Sequence, residues 1–142
     1  MNRELPVAVY WDSSSILSVL FKDSYSKEAL NWSGKKGVHL VSTLGYTEVC
    51  AVISRIKREK LLADILIDVA YKALKSGPWR YLNIWPEWEK LKALSLKWSL
   101  RGPGLWHLAT AKTLKKHIPE LYLLTFDSTL RIAAEGEGLL SY

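Results

Sequence analysis

Four short apolar runs, set between stretches of helical periodicity, constrain this chain more than any other feature. They are VAVYW at 7–11, VHLVS at 38–42, YLNIW at 81–85 and LYLLT at 121–125. Each is compact, rich in branched or aromatic residues, and followed by polar or turn-forming residues, as buried strands are. GLLSY at the C-terminus is a fifth candidate strand. No two runs are joined by a two-residue turn, so hairpins are excluded and the runs must be linked by crossovers. Continuous apolar strands joined through helices make a parallel sheet covered on both faces.

The intervening segments supply those helices. SSSILSVLFK follows the first run, with Ser13 or Ser14 placed to cap its N-terminus. SKEALNW gives a short helix ended by Ser33 and Gly34. TLGYTEVCAVISRIKREK sets Leu44, Val49, Val52, Ile53 and Ile56 on one broad face and runs into LLADILIDVAYKALK. The latter repeats Leu62, Ile65, Val69 and Leu74 at helical spacing, so the two form a helical hairpin. PEWEKLKALSLKW opens with Pro86, which suits a first helical turn. LWHLATAKTLKKH and STLRIAAEGEG complete the set, the last stopped by Gly136. The pattern predicts one domain over 1–142, a three-layer α/β/α sandwich on a parallel sheet of four to five strands.

Composition agrees with a packed globule: 49% of the residues are hydrophobic, with seven Trp and seven Tyr. The lone Cys50 excludes an internal disulfide, and no Cys/His zinc spacing exists, which fits a reducing compartment. The apolar run ending at Asp12 is too short to span a bilayer, so a cytoplasmic location without membrane contact is expected. The net charge of +6 favours polyanions such as nucleic acid.

Three acids fall where such a fold concentrates chemistry. Asp12 follows the first run directly, and Asp127 stands two residues beyond the fourth. Ligands of open parallel sheets bind outside the carboxyl ends of the strands. Glu48 lies about one and a half turns into the helix after the second run and can lean to the same rim. Clustered carboxylates force protons onto one another unless a cation intervenes, and a hard divalent ion resolves the conflict. Each Asp also suits a plain helix cap or turn. Asp64 and Asp68, four apart on one helix, are expected to be solvent-exposed. A small α/β phosphatase also places an Asp after its first strand, but it needs a second two residues on, and position 14 is Ser.

At these residues the chain resembles the PIN-domain family, in particular the VapC-type toxins of toxin–antitoxin pairs. VAVYWDSSSILSVLFKD resembles the first family segment and VSTLGYTEVCAVISR the second. SLRGPGLWHLATAKTL resembles the third and LLTFDSTLRIAAEGEGL the last, all in the family's order. The resemblance implies a magnesium- or manganese-dependent endoribonuclease, a homodimer and a cognate antitoxin. It places Asp12, Glu48 and Asp127 on the first, second and fourth acidic positions, with Ser13 and Thr125 as supporting neighbours. It also leaves the third acidic position vacant, because Gly104 stands three residues before His107. The segment from Ser95 to Leu114 contains no acid at all, and Glu135 and Glu137 are poorly placed to substitute. Gly104 therefore implies either a weakened nuclease with water at the vacant position or a PIN scaffold that binds without cutting.

Other residues carry smaller expectations. Arg101 is expected near the site as a phosphate ligand, and His107 to pack at a helix start. The basic run RIKREK at 55–60 reads as a solvated helix end. Trp79, Trp85, Trp88 and Trp98 are expected mostly in the core or in a dimer contact.

Overall fold

In the computed structural model, residues 5–140 are described, and they build one sheet of four parallel strands in the order β3-β2-β1-β4. The strands are β1 (Val7–Trp11), β2 (Gly37–Ser42), β3 (Trp79–Leu82) and β4 (Tyr122–Leu124). Helices α1 (Ser13–Leu20) and α2 (Ser26–Ser33) follow β1, and α3 (Thr43–Arg58) and α4 (Asp64–Ser76) follow β2. Helices α5 (Trp88–Lys97) and α6 (Gly102–Lys115) follow β3, and α7 (Ser128–Gly136) follows β4.

Strand alternation divides the core into two halves. Ala8 and Tyr10 of β1 pack with Leu40 and Leu123 against α5, α6 and α7 through Leu94, Leu108 and Leu130. Val9 and Trp11 point to the other face, with Val41 and Leu124, against Ile16 of α1, Val49 and Ile53 of α3 and Ile67 of α4. Three layers result, and the expected sandwich is found. Burying a side chain such as Ile53 or Leu108, both at 0% exposure, stabilises the fold by about 1.5–3 kcal/mol.

Four local expectations are corrected. The third strand is Trp79–Leu82 rather than 81–85, because Trp79 is the residue that buries its ring, with His39 as its register partner. Trp85, at 72% exposure, lies beyond the strand in the connection to α5. On α4 the expected Leu74 is covered, but together with Ile67 and Ala70, while the expected Ile65 and Val69 are exposed at 71% and 54%. Both sets have helical spacing, and only the placement of α4 against α1 and α3 decides between them. Residues 138–140 form no strand, although Leu123 N–H donates to the Leu139 carbonyl at 2.9 Å. The remainder of that fifth candidate, Ser141 and Tyr142, lies outside the described residues. Finally, α6 begins at Gly102, three residues before the expected start, with Pro103 in its first turn.

No described helix is long and apolar enough to cross a membrane. Trp79 is buried and Trp98 half-buried, whereas Trp88, like Trp85, is exposed. Asp64 and Asp68 are exposed as expected, and Arg55, Lys57 and Arg58 stand in the last turn of α3.

Candidate functional site

The site lies at the carboxyl edge of the sheet, where β1 and β4 end side by side. Asp12 N–H continues their pairing with a 3.3 Å bond to the Leu124 carbonyl. The next residue begins α1, so Asp12 is in extended conformation as its N-cap, and its Oδ1 accepts the Ser15 N–H at 2.9 Å. The cap is therefore Asp12, not Ser13 or Ser14. Ser14 instead turns its hydroxyl back onto Asp12 Oδ1 at 2.7 Å, while Thr125 Oγ1 donates to Oδ2 at 2.5 Å. Ser13 lines the same cleft, but the serine hydroxyl bond to the Asp12 carboxylate comes from Ser14.

This network also places the second aspartate. Thr125 Oγ1 accepts the Asp127 N–H at 3.1 Å, and Ser14 Oγ accepts the Phe126 N–H at 3.0 Å. The turn leaving β4 is thus tied to the turn leaving β1. Asp127 caps α7, its Oδ1 accepting from Thr129 and Leu130 at 2.9 and 3.0 Å. Both aspartates serve as helix caps, and both still face a common cleft.

That cleft has a volume of about 710 Å³ and brings together Asp12, Glu48, Asp127, Arg101, Gly104 and His107. The three acids expected to meet do share one cavity. They do not close into a cage, since no group of three or more His, Cys, Asp or Glu among the described residues is arranged to hold a metal ion. The two aspartates keep separate capping duties, and Glu48 is turned towards His107. Burial pushes the Asp12 carboxyl above its usual range, against the bonds from Thr125, Ser14 and Ser15 and the nearby His107, all of which favour ionisation. Asp12 Oδ1 already accepts two bonds and Oδ2 one, so Oδ2 retains a free acceptor position.

Glu48 reaches the rim from the second turn of α3, where His107 of α6 meets it, Nε2 to Oε1 2.6 Å. His107 Nδ1 is 2.6 Å from the Tyr10 hydroxyl, which donates to Ser42 Oγ at 2.9 Å. Ser42 is the N-cap of α3 and accepts the Gly45 N–H at 3.1 Å. His107 packs at the start of α6 as expected, at 2% exposure, but is also bonded at both ring nitrogens. Burial pushes the Tyr10 hydroxyl well above the usual phenol range, outweighing its bond to Ser42, with Asp12 and Glu48 adding to the rise. Tyr10 and Ser42 carry no functional signal in the sequence. Tyr10 reads as a core residue of an apolar run, and its partner lies 97 positions away.

The opposite wall is sparse. Arg101 is exposed at the N-cap of α6, whose side chain makes no cap bond, and Gly104 follows in the first turn. A Cβ at position 104 would meet only Leu100, at 3.9 and 4.0 Å, so crowding at the backbone does not require glycine there. Glu137 does not fill it. Its carboxylate is held by Lys97 at 2.8 Å, Lys112 at 3.5 Å and the Trp98 indole at 2.9 Å. Glu135 is exposed on α7, and Asp64 and Asp68 lie on α4, outside the cleft.

No family model matches the sequence, and a search of curated proteins finds no match. Solved structures do match the fold. The chain is similar to PAE2754 from Pyrobaculum aerophilum, with a TM-score of 0.62 and 14% identity over 92% of this chain and 81% of that one. It is also similar to VapC20 of Mycobacterium tuberculosis, described as a Sarcin-Ricin loop cleaving toxin. There the TM-score is 0.57 and the identity 13%, over 89% of this chain and 95% of that one. The fold is the VapC-like PIN fold.

Proposed function

We propose that the protein is a magnesium- or manganese-dependent endoribonuclease, the toxin half of a toxin–antitoxin module. One observation carries the reading. Asp12 is a carboxylate at 4% exposure, held by three donors with one acceptor position to spare, and it lines a cleft that also contains Glu48, Asp127 and Arg101. Ionising a buried carboxylate is costly without a cation beside it.

The donor set fits a hard divalent ion held by few protein ligands. Magnesium takes oxygen ligands, keeps several waters and is usually bound by one or two carboxylates. Asp12 and Asp127 would hold such an ion, and Glu48 would orient water or a second ion. When bound, the ion supplies a water of lowered pKa and neutralises charge on a phosphoryl oxygen. The chain's own residues do the rest. Ser14, Ser15 and Thr125 fix the Asp12 carboxylate, Arg101 holds a substrate phosphate at the cleft mouth, and α6 walls the other side. The partners of this reading are structured RNA, a cognate antitoxin and a second copy of the chain, in a cytoplasmic setting.

A second reading is favoured by Gly104 and by the absence, among the described residues, of a three-acid cage. It is a PIN scaffold that binds RNA or an antitoxin-like partner without cleavage. Antitoxin-free protein incubated with manganese and a hairpin bearing a Sarcin-Ricin loop separates the two. Cleavage that Asp12→Asn abolishes supports the nuclease. Cleavage only by Gly104→Asp supports the scaffold.

A further inference from the structure

A chain of hydrogen bonds runs from the cleft into the core and joins the two helical layers across the sheet edge. It passes from Glu48 to His107, Tyr10 and Ser42, with separations of 2.6, 2.6 and 2.9 Å, and ends on the Gly45 N–H at 3.1 Å. Every side chain in it beyond Glu48 is buried: Tyr10 at 0%, Ser42 at 1% and His107 at 2% exposure. Ser42 caps α3, the helix that carries Glu48. The same network therefore fixes where that helix starts and where its acid points.

We infer that His107 is a positioning residue for Glu48, and Tyr10 for His107, so that the bond across the layers fixes the one acid of the cleft that caps no helix. This rests on the nuclease reading for its purpose but not for its geometry. Asp12 and Asp127 are immobilised by their caps, whereas Glu48 sits within α3 with a side chain able to swing into solvent, being 28% exposed. Among the described residues, the hydrogen bond that holds its carboxylate comes from His107 Nε2. An ionised carboxylate offers acceptors only, so the imidazole must present Nε2–H to it. Tyr10 at Nδ1 sets the ring plane, and the edge-on contact of the two rings, centroids 5.7 Å apart, leaves that plane little freedom. Partners that orient a ligand are worth about 10–100-fold in metal affinity or activity.

Two amide substitutions separate the ring's two ends. His107→Gln keeps a donor near the Nε2 position, and His107→Asn keeps a polar atom only near Nδ1. With folding checked by thermal unfolding, Mn²⁺ binding is titrated by electron paramagnetic resonance and RNA cleavage resolved into kcat and KM. The expected result is near-normal binding and kcat for His107→Gln. His107→Asn should lose about 10–100-fold with KM little changed, and Tyr10→Phe should lose less. Equal values for folded His107→Asn and the unsubstituted chain overturn the inference. So does an equal loss in both amide variants, which would mean that ring shape rather than the donor matters. If the unsubstituted chain neither binds Mn²⁺ nor cleaves RNA, the nuclease reading fails separately. The far-downfield proton resonance of a carboxylate-bonded His107 Nε2–H then decides: its presence, and its loss in Glu48→Gln, supports positioning, and its absence overturns it.

Discussion

The two walls of the cleft are built to different standards. On the β1/β4 side the polar groups hold one another, Asp12 bonded by Ser14, Ser15 and Thr125, and Thr125 in turn anchoring the Asp127 backbone. On the α6 side, Arg101 is exposed, the helix has no side-chain cap, and a Cβ at Gly104 would touch only Leu100. One wall is acidic and rigid. The other presents a guanidinium and the positive end of a helix dipole. The contrast teaches that such a site need not be uniformly rigid to be electrostatically complete: on the nuclease reading, an ion would seat against the acidic wall, and a phosphate bound to it would face the cationic one.

Removing the acidic wall's centre should have the largest effect. Asp12→Asn is expected to reduce RNA cleavage by roughly a hundredfold or more, since an ion's charge stabilisation is worth several kcal/mol. Stability should move the other way in chelator-treated protein. Burial raises the folded-state pKa of Asp12 above its unfolded value. The resulting stability is full below the unfolded pKa and is lost as pH rises through the folded pKa. Asn lacks this titration and can still cap α1. The melting temperature of Asp12→Asn should therefore exceed that of the unsubstituted chain by a margin that widens from acid to neutral pH and shrinks with added Mn²⁺. A pH-independent margin would break the contrast between the walls.

Filling the bare wall should have the next largest effect. Gly104→Asp adds a carboxylate where a Cβ meets only Leu100, in the first turn of α6 where an acid is favoured by about 0.3–1 kcal/mol. Mn²⁺ affinity is expected to rise about tenfold, because adding ligand charge tightens a hard-ion site. Calorimetric titration checks it, and an unchanged affinity would place position 104 outside the ion's reach.

How much of the fold and site is legible in the sequence follows the range of the interactions. β1 is visible because five apolar residues precede an Asp, and the aspartates because strand ends and caps are local features. The α4 stripe is ambiguous because Leu62, Ile65, Val69 and Leu74 recur at helical spacing just as Ile67, Ala70 and Leu74 do, and the covering elements come from elsewhere in the chain. The apolar pattern sets β3 two residues late because its edge position exposes Arg80 and Tyr81, diluting the signal. The His107 link to Glu48 spans 59 positions and that to Tyr10 spans 97, and no local pattern encodes either.

Arg101 should matter less than either acidic position. Exposed, and without a salt bridge among the described residues, it is available to a phosphate but is screened by solvent. Arg101→Gln is expected to raise KM for RNA a few-fold, leave kcat nearly unchanged, and reduce the slope of log affinity against log salt by about one. An equal fall in kcat would mean that Arg101 acts on the reacting phosphate itself.

The smallest effect is expected from Gly104→Ala, and it sharpens the comparison most economically. The position is helical, and the added methyl finds no atom nearer than 3.9 Å. Replacing glycine by alanine in a helix gains up to about 1 kcal/mol, and less near an end. The variant should melt slightly higher and bind Mn²⁺ and RNA as the unsubstituted chain does. Set beside Gly104→Asp, it separates the carboxylate's charge from the stiffening of the first turn of α6. If alanine alone raised Mn²⁺ affinity, the bare wall would be limited by backbone freedom rather than by a missing ligand. The two walls would then differ in order and not in chemistry.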